Sequence, residues 1–242
     1  MEHRPGDGSA DTGGPCTFDF IAQALHARGY VVLADVFPLE WLSAWFLYLK
    51  ALEPERFRRA GIGRGEEHQL NRFVRGDEIC WLDPADPQLV DWFGWVEQLR
   101  MALNRRLFMG LFDFECHFAR YPRGSFYRRH VDAFRDQERS RVLSTVLYLT
   151  PGWQPGDGGE LVLYRPEGPE LDRVQPAAGR LVLFLSEEFP HEVLPTRRSR
   201  YSLTGWYRVS APSGLEPPGR IRKTNALCEV RCDPPEALGR AS

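Results

Sequence analysis

Apolar residues recur at helical spacing through the first part of the chain and at alternate positions through the second. Thr17 is placed to cap a helix over TFDFIAQALHARG, with Phe20, Ile21, Ala24 and Leu25 as its apolar positions and Gly29 as its stop. YVVLADVF then reads as a strand, and Pro38 opens a second helix through LEWLSAWFLYLKAL. A polar, glycine-broken stretch follows, RRAGIGRGEEHQLNR, before Pro87 starts a third helix with Asp86 in capping position. From Phe112 the period shortens to that of strands: FECHFARYP, RVLSTVLYLT, ELVLYRP, RVQPAAGRLVLFLS and RYSLTGWYRVS. Gly/Pro-rich turns such as PGWQPGDGG and PAAG separate them. Helices first and short strands second predict a mainly β fold, a barrel braced by N-terminal helices.

A chain of 242 residues, 43% hydrophobic, can bury one substantial core. We expect a disordered lead-in over residues 1–16, a single domain over 17–210 with its barrel from about 112, and a tail over 211–242. The start, MEHRPGDGSADTGGP, has no apolar run of signal-peptide kind, and nothing later is long and apolar enough for a bilayer. Together with five cysteines, an odd count, this favours reduced thiols and a cytoplasmic setting; Cys228 and Cys232 in the tail lack a second Cys/His pair for zinc. The net charge of −2 argues against a globally basic nucleic-acid binder, and the local arginine clusters read as solvated surface.

The candidate chemistry lies in RRHVDAF and FPHEVLPTRRSRYSLTGWYR. His130 and Asp132 stand two apart, so on a strand they share a face, and His191 follows about sixty residues later. Two imidazoles and one carboxylate are the ligand set of a mononuclear non-haem iron(II) site with open positions. Arg200 comes nine residues after His191. Strand alternation places Arg200, Ser202, Thr204 and Trp206 on one face, and Tyr201, Leu203, Gly205 and Tyr207 on the other. A buried arginine there is costly unless it meets an anion, and its planar fork suits a carboxylate. In the strand ending at Tyr148, alternation groups that tyrosine with Val142, Ser144 and Val146.

H-x-D, a distant histidine and an arginine nine residues beyond it resemble the signature of Fe(II)- and 2-oxoglutarate-dependent dioxygenases. Within that superfamily the chain is similar to the prolyl 4-hydroxylases, particularly bacterial relatives of the oxygen-sensing hypoxia-inducible-factor prolyl hydroxylases. RGDEICW, YPRGSFYRRHVD, LYLT, DGGELVLY and HEVLPTRRSRYSLTGWY carry the likeness, which spans roughly 70–210. The resemblance implies a double-stranded β-helix of jelly-roll kind. It implies His130, Asp132 and His191 as Fe(II) ligands and Arg200 on the distal carboxylate of 2-oxoglutarate. Tyr148 and Thr204 would share that carboxylate, Tyr121 would lie near co-substrate and metal, and Trp206 beside the iron. A mobile substrate-covering loop would contain Arg75 and Asp77 as an ion pair and Trp81 as an aromatic anchor, with Tyr127 close by. The loop from Tyr121 to His130 is one residue shorter than in the oxygen-sensing enzymes.

The activity so implied is hydroxylation of a proline in a protein, using Fe(II), 2-oxoglutarate and O2, with ascorbate as reductant and the translation machinery as a source of substrate. Relatives that halogenate lack the carboxylate ligand, so Asp132 favours hydroxylation. Two other readings stand beside it. One is another oxygenase of the superfamily, such as a nucleic-acid demethylase, for which Arg208 could supply a second arginine. The other is a cupin-like barrel that binds metal without catalysis.

Overall fold

A computed structural model describes residues 15–60, 74–133 and 141–209. The lead-in before Pro15, most of the glycine-broken stretch, and the tail with Cys228 and Cys232 lie outside the described residues.

Three helices precede the main strands. Helix α1 (Pro15–Arg28) begins two residues ahead of the predicted cap, so Thr17 lies within its first turn rather than before it; proline is well suited to the start of a helix because it has no N–H to leave unbonded. Strand β1 (Tyr30–Leu33) is shorter than expected, since Asp35 takes a left-handed conformation at φ 58°. Helix α2 (Leu39–Ala51) follows Pro38 as predicted. The third helix starts as a 3-10 turn, Pro87–Leu89, capped by the Asp86 side chain accepting from Gln88 N, and continues as α3 (Val90–Leu107).

The strands form two antiparallel sheets, the arrangement of a double-stranded β-helix. The larger contains β1, β2 (Arg58–Arg59), β3 (Glu78–Trp81), β4 (Asp113–Tyr121), β6 (Arg141–Tyr148), β9 (Leu181–Leu185) and β11 (Arg200–Arg208), in the order β1-β9-β6-β11-β4-β3-β2. The smaller has the order β5-β10-β7-β8, from β5 (Tyr127–His130), β7 (Leu161–Tyr164), β8 (Glu170–Val174) and β10 (His191–Val193). The segment RVQPAAGRLVLFLS, expected as one strand, is split between β8 and β9 at its Pro/Gly turn. Proline cannot donate to a ladder, so the run breaks there.

Every second residue of β11 faces the helices. Tyr207 donates its hydroxyl to Val96 O of α3 at 2.7 Å, and Tyr201 packs edge-on against Phe46 of α2. Phe37 meets Trp45, Trp92 and Trp95, which ties the helices to one another behind the sheet. Apolar burial on this side holds the large sheet rigid and leaves its other face for chemistry. One turn on the small-sheet side comes unusually close. Gly158 and Gly159 both have positive φ; a Cβ on Gly158 would lie 2.3 Å from Pro195 O, and one on Gly159 3.2 Å from the Arg200 side chain.

Candidate active site

The register of the large sheet defines the inward face. On β11 it carries Arg200, Ser202, Thr204 and Trp206; their partners on β4 are Tyr121, Ala119, His117 and Glu115. From β6 come Tyr148, Val146 and Ser144, paired with Ser202, Thr204 and Trp206. Residues directly opposite in an antiparallel pair point to the same side, so these side chains form one polar surface in an otherwise apolar barrel.

His130, Asp132 and His191 meet at one end of this surface, with a ligand atom of each within 4.8 Å of the others. His191 on β10 is the register partner of His130 on β5, which brings the imidazoles together across the small sheet. Asp132 is not on the strand, as the alternation argument required. Strand β5 ends at His130, and Asp132 sits in a bend just beyond. Its position is fixed instead by hydrogen bonds to the other sheet: Oδ2 accepts from Trp206 Nε1 at 2.8 Å and from Ser144 Oγ at 2.7 Å, with Ser186 Oγ 2.9 Å behind. Oδ1 lies 3.6 Å from His130 Nε2, and Oδ2 3.7 Å from His191 Nε2.

The imidazoles are oriented by backbone. Nδ1 of His130 is 2.7 Å from Arg128 O and Nδ1 of His191 is 3.0 Å from Phe189 O. A carbonyl only accepts, so both Nδ1 atoms carry the proton and both Nε2 lone pairs point to the cluster. This is the tautomer a metal needs.

Arg200 lies at the other end of the same face, 2% exposed, with its guanidinium between two rings: 4.7 Å from the centroid of Tyr121 and 4.8 Å from that of Tyr148. Tyr148 Oη and Arg200 Nε are buried without a hydrogen-bond partner among the described residues. Thr204 lies along the strand towards the metal cluster, its hydroxyl 3.3 Å from Ser202 Oγ.

The remaining predicted residues gather near the cluster. Arg75 grips Asp77 with two hydrogen bonds, at 2.7 and 2.6 Å, and its guanidinium covers the Tyr127 ring at 4.2 Å. Tyr127 in turn stacks on His130, ring centroids 3.6 Å apart. Tyr121 and Tyr127 therefore separate, one to the arginine and one to the metal cluster. The expected covering loop is a strand over its last residues, because Glu78–Trp81 pairs with β4. Trp81 is 50% exposed and meets His117 edge-on at 5.0 Å.

Four contributors went unrecognised in the sequence. Ser144 and His117 are on the right face by simple alternation from Tyr148 and Tyr121, so the signal was present. Ser186 and Arg141 gave none. Arg141 lies over the Trp206 ring at 3.6 Å and binds Glu115 at 2.8 and 2.9 Å. Arg208, which a demethylase reading would use, is committed to Asp113 and Glu115 through three hydrogen bonds of 2.7–2.8 Å.

Burial dominates the electrostatics. It pushes the His191 imidazole down from its usual 6.5 to about 4, helped by neighbouring His130 and opposed by Asp132. Burial likewise takes His117 down to about 3. For Asp132, burial alone would raise the carboxyl, but His191 and His130 hold it well below the carboxylate range. Burial raises the hydroxyls of Tyr121 and Tyr148, so both stay protonated donors. The two histidines bind protons less readily folded than unfolded, so their contribution to stability is intact above pH 6.5 and is lost as the pH falls towards 4. The depressed Asp132 adds loss of the same sign below about 3.8, its unfolded value. The melting temperature of metal-free protein is expected to fall by several degrees between pH 6.5 and 4 and to be nearly flat from 7.5 to 6.5. A flat profile through both ranges in scanning calorimetry would show that neither imidazole is held neutral by burial.

The 2OG-Fe(II) oxygenase superfamily model matches residues 116–208, the strands that carry both ends of this face. A crystal structure of a Pseudomonas putida prolyl-4-hydroxylase is 43% identical, covers 79% of this chain and 98% of its own, and superposes with a TM-score of 0.71. The chain belongs to the 2OG-Fe(II) oxygenase superfamily. Among curated relatives of this oxygenase, the hypoxia-inducible factor prolyl hydroxylase of Caenorhabditis elegans is 30% identical over 55% of the chain and 20% of that protein. Egl nine homolog 1 of Mus musculus is 29% identical over 78% of the chain and 49% of that protein. The oxygenase thus spans half or less of the length of these curated relatives.

Members of the superfamily use Fe(II), 2-oxoglutarate and O2, and the chain has residues that fit the first two. Two Nε2 atoms and a carboxylate oxygen converge where a ferrous ion would leave open positions. A buried donor left unpaired costs about 1–3 kcal/mol, and the unpartnered Tyr148 Oη and Arg200 Nε would be satisfied by one carboxylate. The metal cluster meets the inward face that carries Arg200 through the hydrogen bonds of Asp132 to Trp206 and Ser144.

Proposed function

We propose that the protein is a prolyl 4-hydroxylase acting on a proline within a protein. The observation that carries this reading is the pairing of the His130/Asp132/His191 cluster with the tyrosine-flanked Arg200 on the sheet face that the cluster meets. Similarity to the Pseudomonas prolyl-4-hydroxylase over nearly that protein's whole length supports proline as target. Similarity to the Caenorhabditis hypoxia-inducible factor prolyl hydroxylase supports a protein substrate. The translation machinery as substrate source, ascorbate as reductant, an oxygen-sensing role and a cytoplasmic setting belong to the same proposal; no helix among the described residues is long and apolar enough to cross a membrane.

In this reading His130, Asp132 and His191 hold the metal. Trp206 and Ser144 bind Asp132 Oδ2, so the carboxylate cannot rotate freely. Arg200 and Tyr148 hold the distal carboxylate of 2-oxoglutarate, with Tyr121 packed against the guanidinium and Thr204 lining the path to the metal. When bound, iron with 2-oxoglutarate and O2 supplies the oxidation, one oxygen atom going to the substrate C–H bond and the other to succinate, with loss of carbon dioxide. The chain's part is to fix geometry and exclude water. Arg75 and Asp77 brace Tyr127 over His130, and Trp81 offers an exposed ring for the incoming peptide.

The test is incubation with Fe(II), 2-oxoglutarate, ascorbate and O2 against synthetic peptides tiling every proline of the ribosomal proteins and elongation factors. One or more peptides should gain the mass of one oxygen atom, placed on proline by fragmentation, with succinate released in equal amount. Oxygen placed on another residue, or succinate without any oxidised peptide, would defeat the prolyl reading.

A further inference from the structure

Ser186 is a buried hydroxyl that bonds to none of the three metal-cluster residues, yet it stands one step from them. It follows β9 directly, and its N–H donates to Val142 O of β6 at 3.0 Å. Phe184, two residues earlier, is the register partner of Ser144, so Ser144 and Ser186 point to the same inward side. Both serines are 0% exposed, and their hydroxyl oxygens lie 2.9 Å apart. Ser144 Oγ reaches Asp132 Oδ2 at 2.7 Å, and Trp206 Nε1 of β11 reaches the same oxygen at 2.8 Å. Three neighbouring strands therefore send one group each towards a single carboxylate oxygen.

The chemistry of the groups sets the direction of this chain. A carboxylate that holds a metal is ionised and can only accept, so Ser144 must give its single hydrogen to Asp132. The Ser144 oxygen is then left with lone pairs facing Ser186, and Ser186 has to be the donor. A hydrogen bond to a charged acceptor strengthens when its donor is itself hydrogen-bonded from behind. Packing does not call for the two hydroxyls, since alanine at either position would leave no polar group to desolvate. Each carboxylate oxygen offers about two lone-pair directions, and Trp206 and Ser144 take both on Oδ2. Oδ1, 3.6 Å from His130 Nε2, is the oxygen that remains for a metal. Ligation through both oxygens would close a position that 2-oxoglutarate or O2 needs.

We propose that Ser144 and Ser186 are positioning residues for the metal, a one-way chain of hydroxyls that, with Trp206, saturates Asp132 Oδ2 and presents Oδ1 alone. This role rests on the metal reading of the cluster and is independent of proline as the target. Ser186 acts only through Ser144. Loss of Ser144 frees Oδ2 on one side, and loss of Ser186 weakens the donor in front of it.

The test is a double-mutant cycle of Ser144→Ala, Ser186→Ala and both together, with Ser144→Thr as a variant that keeps the hydroxyl. Fe(II) affinity is measured by anaerobic calorimetry on protein shown to be folded by circular dichroism. The charge-transfer band is recorded at saturating Fe(II) and 2-oxoglutarate. Ser144→Ala should raise the Fe(II) Kd by about 10–100-fold, the usual effect of losing a group that orients a ligand, and should shift or weaken the band. Ser144→Thr should return both most of the way to wild type. Ser186→Ala alone should raise the Kd about threefold and add nothing in the Ser144→Ala background. A Ser186→Ala loss that persists without Ser144 overturns the chain, because Ser186 would then act on the fold and not on Asp132. Ser186→Ala against Ser186→Thr carries the same test if Ser144→Ala does not fold, and equal Kd values in those two defeat the proposal. If wild type itself gives no band, the metal reading fails and the serine chain with it. If wild type gives the band and Ser144→Ala matches it in band and affinity, only the chain falls.

Discussion

Arg200→Ala is expected to lower kcat/KM for 2-oxoglutarate by about two to three orders of magnitude, because truncating one side of a buried charge pair typically costs 2–5 kcal/mol. The guanidinium is enclosed by Tyr121 and Tyr148 and shut off from solvent, so water cannot replace it at the carboxylate. Arg200→Lys should recover little, since a point charge does not reproduce the planar fork. The metal-free variant should melt no lower than wild type. Without a bound anion the arginine is a desolvated charge, and its removal relieves that penalty. Succinate formation against 2-oxoglutarate concentration, alongside a thermal melt, checks both halves. A variant that keeps its 2-oxoglutarate kinetics would show that the co-substrate carboxylate is held by another residue.

The second large effect is at His191. His191→Ala should remove the visible charge-transfer band of the anaerobic Fe(II)/2-oxoglutarate complex and reduce turnover to background. Loss of a residue that only orients a ligand commonly weakens metal binding 10–100-fold, and loss of the ligand itself should exceed that. His191 is the only one of the three placed deep on β10, with Nδ1 tied to Phe189 O and its ring against Phe184 at 4.7 Å. Among the described residues no other histidine, cysteine or acidic side chain joins the cluster. A band of undiminished intensity in the variant would mean that the metal sits elsewhere.

Much of this site is legible in the sequence. Alternation along RYSLTGWYR separated the residues facing the pocket from those facing the helices, because a strand buried on both sides still obeys a period of two. The same rule placed His130 on a strand but failed for Asp132. That residue leaves the ladder and is located by Trp206 and Ser144, which are 74 and 12 residues away in the chain. Contacts of that range leave no local trace. RGDEICW was recognised as belonging near the pocket, but as a loop; the polar stretch before it hid the edge strand, whose partner β4 begins more than thirty residues later. The helices were placed to within two residues at their starts where proline and aspartate mark the boundary, as at Pro38 and Asp86.

The paired glycines at 158 and 159 make the turn before β7 intolerant of change. Bare backbone from the turn before β7 rests against Pro195 O and the stem of Arg200, with no room for a methyl group at Gly158 and a tight fit at Gly159. The two sheets therefore share a contact with no side chain to act as a cushion. Any shift of the small sheet, which carries both histidines, is passed directly to the arginine on the large one. Metal position and co-substrate reach are in this way a single mechanical variable. Divergence of this enzyme is correspondingly cheap at the exposed rim, around Trp81, and closed off at the turn.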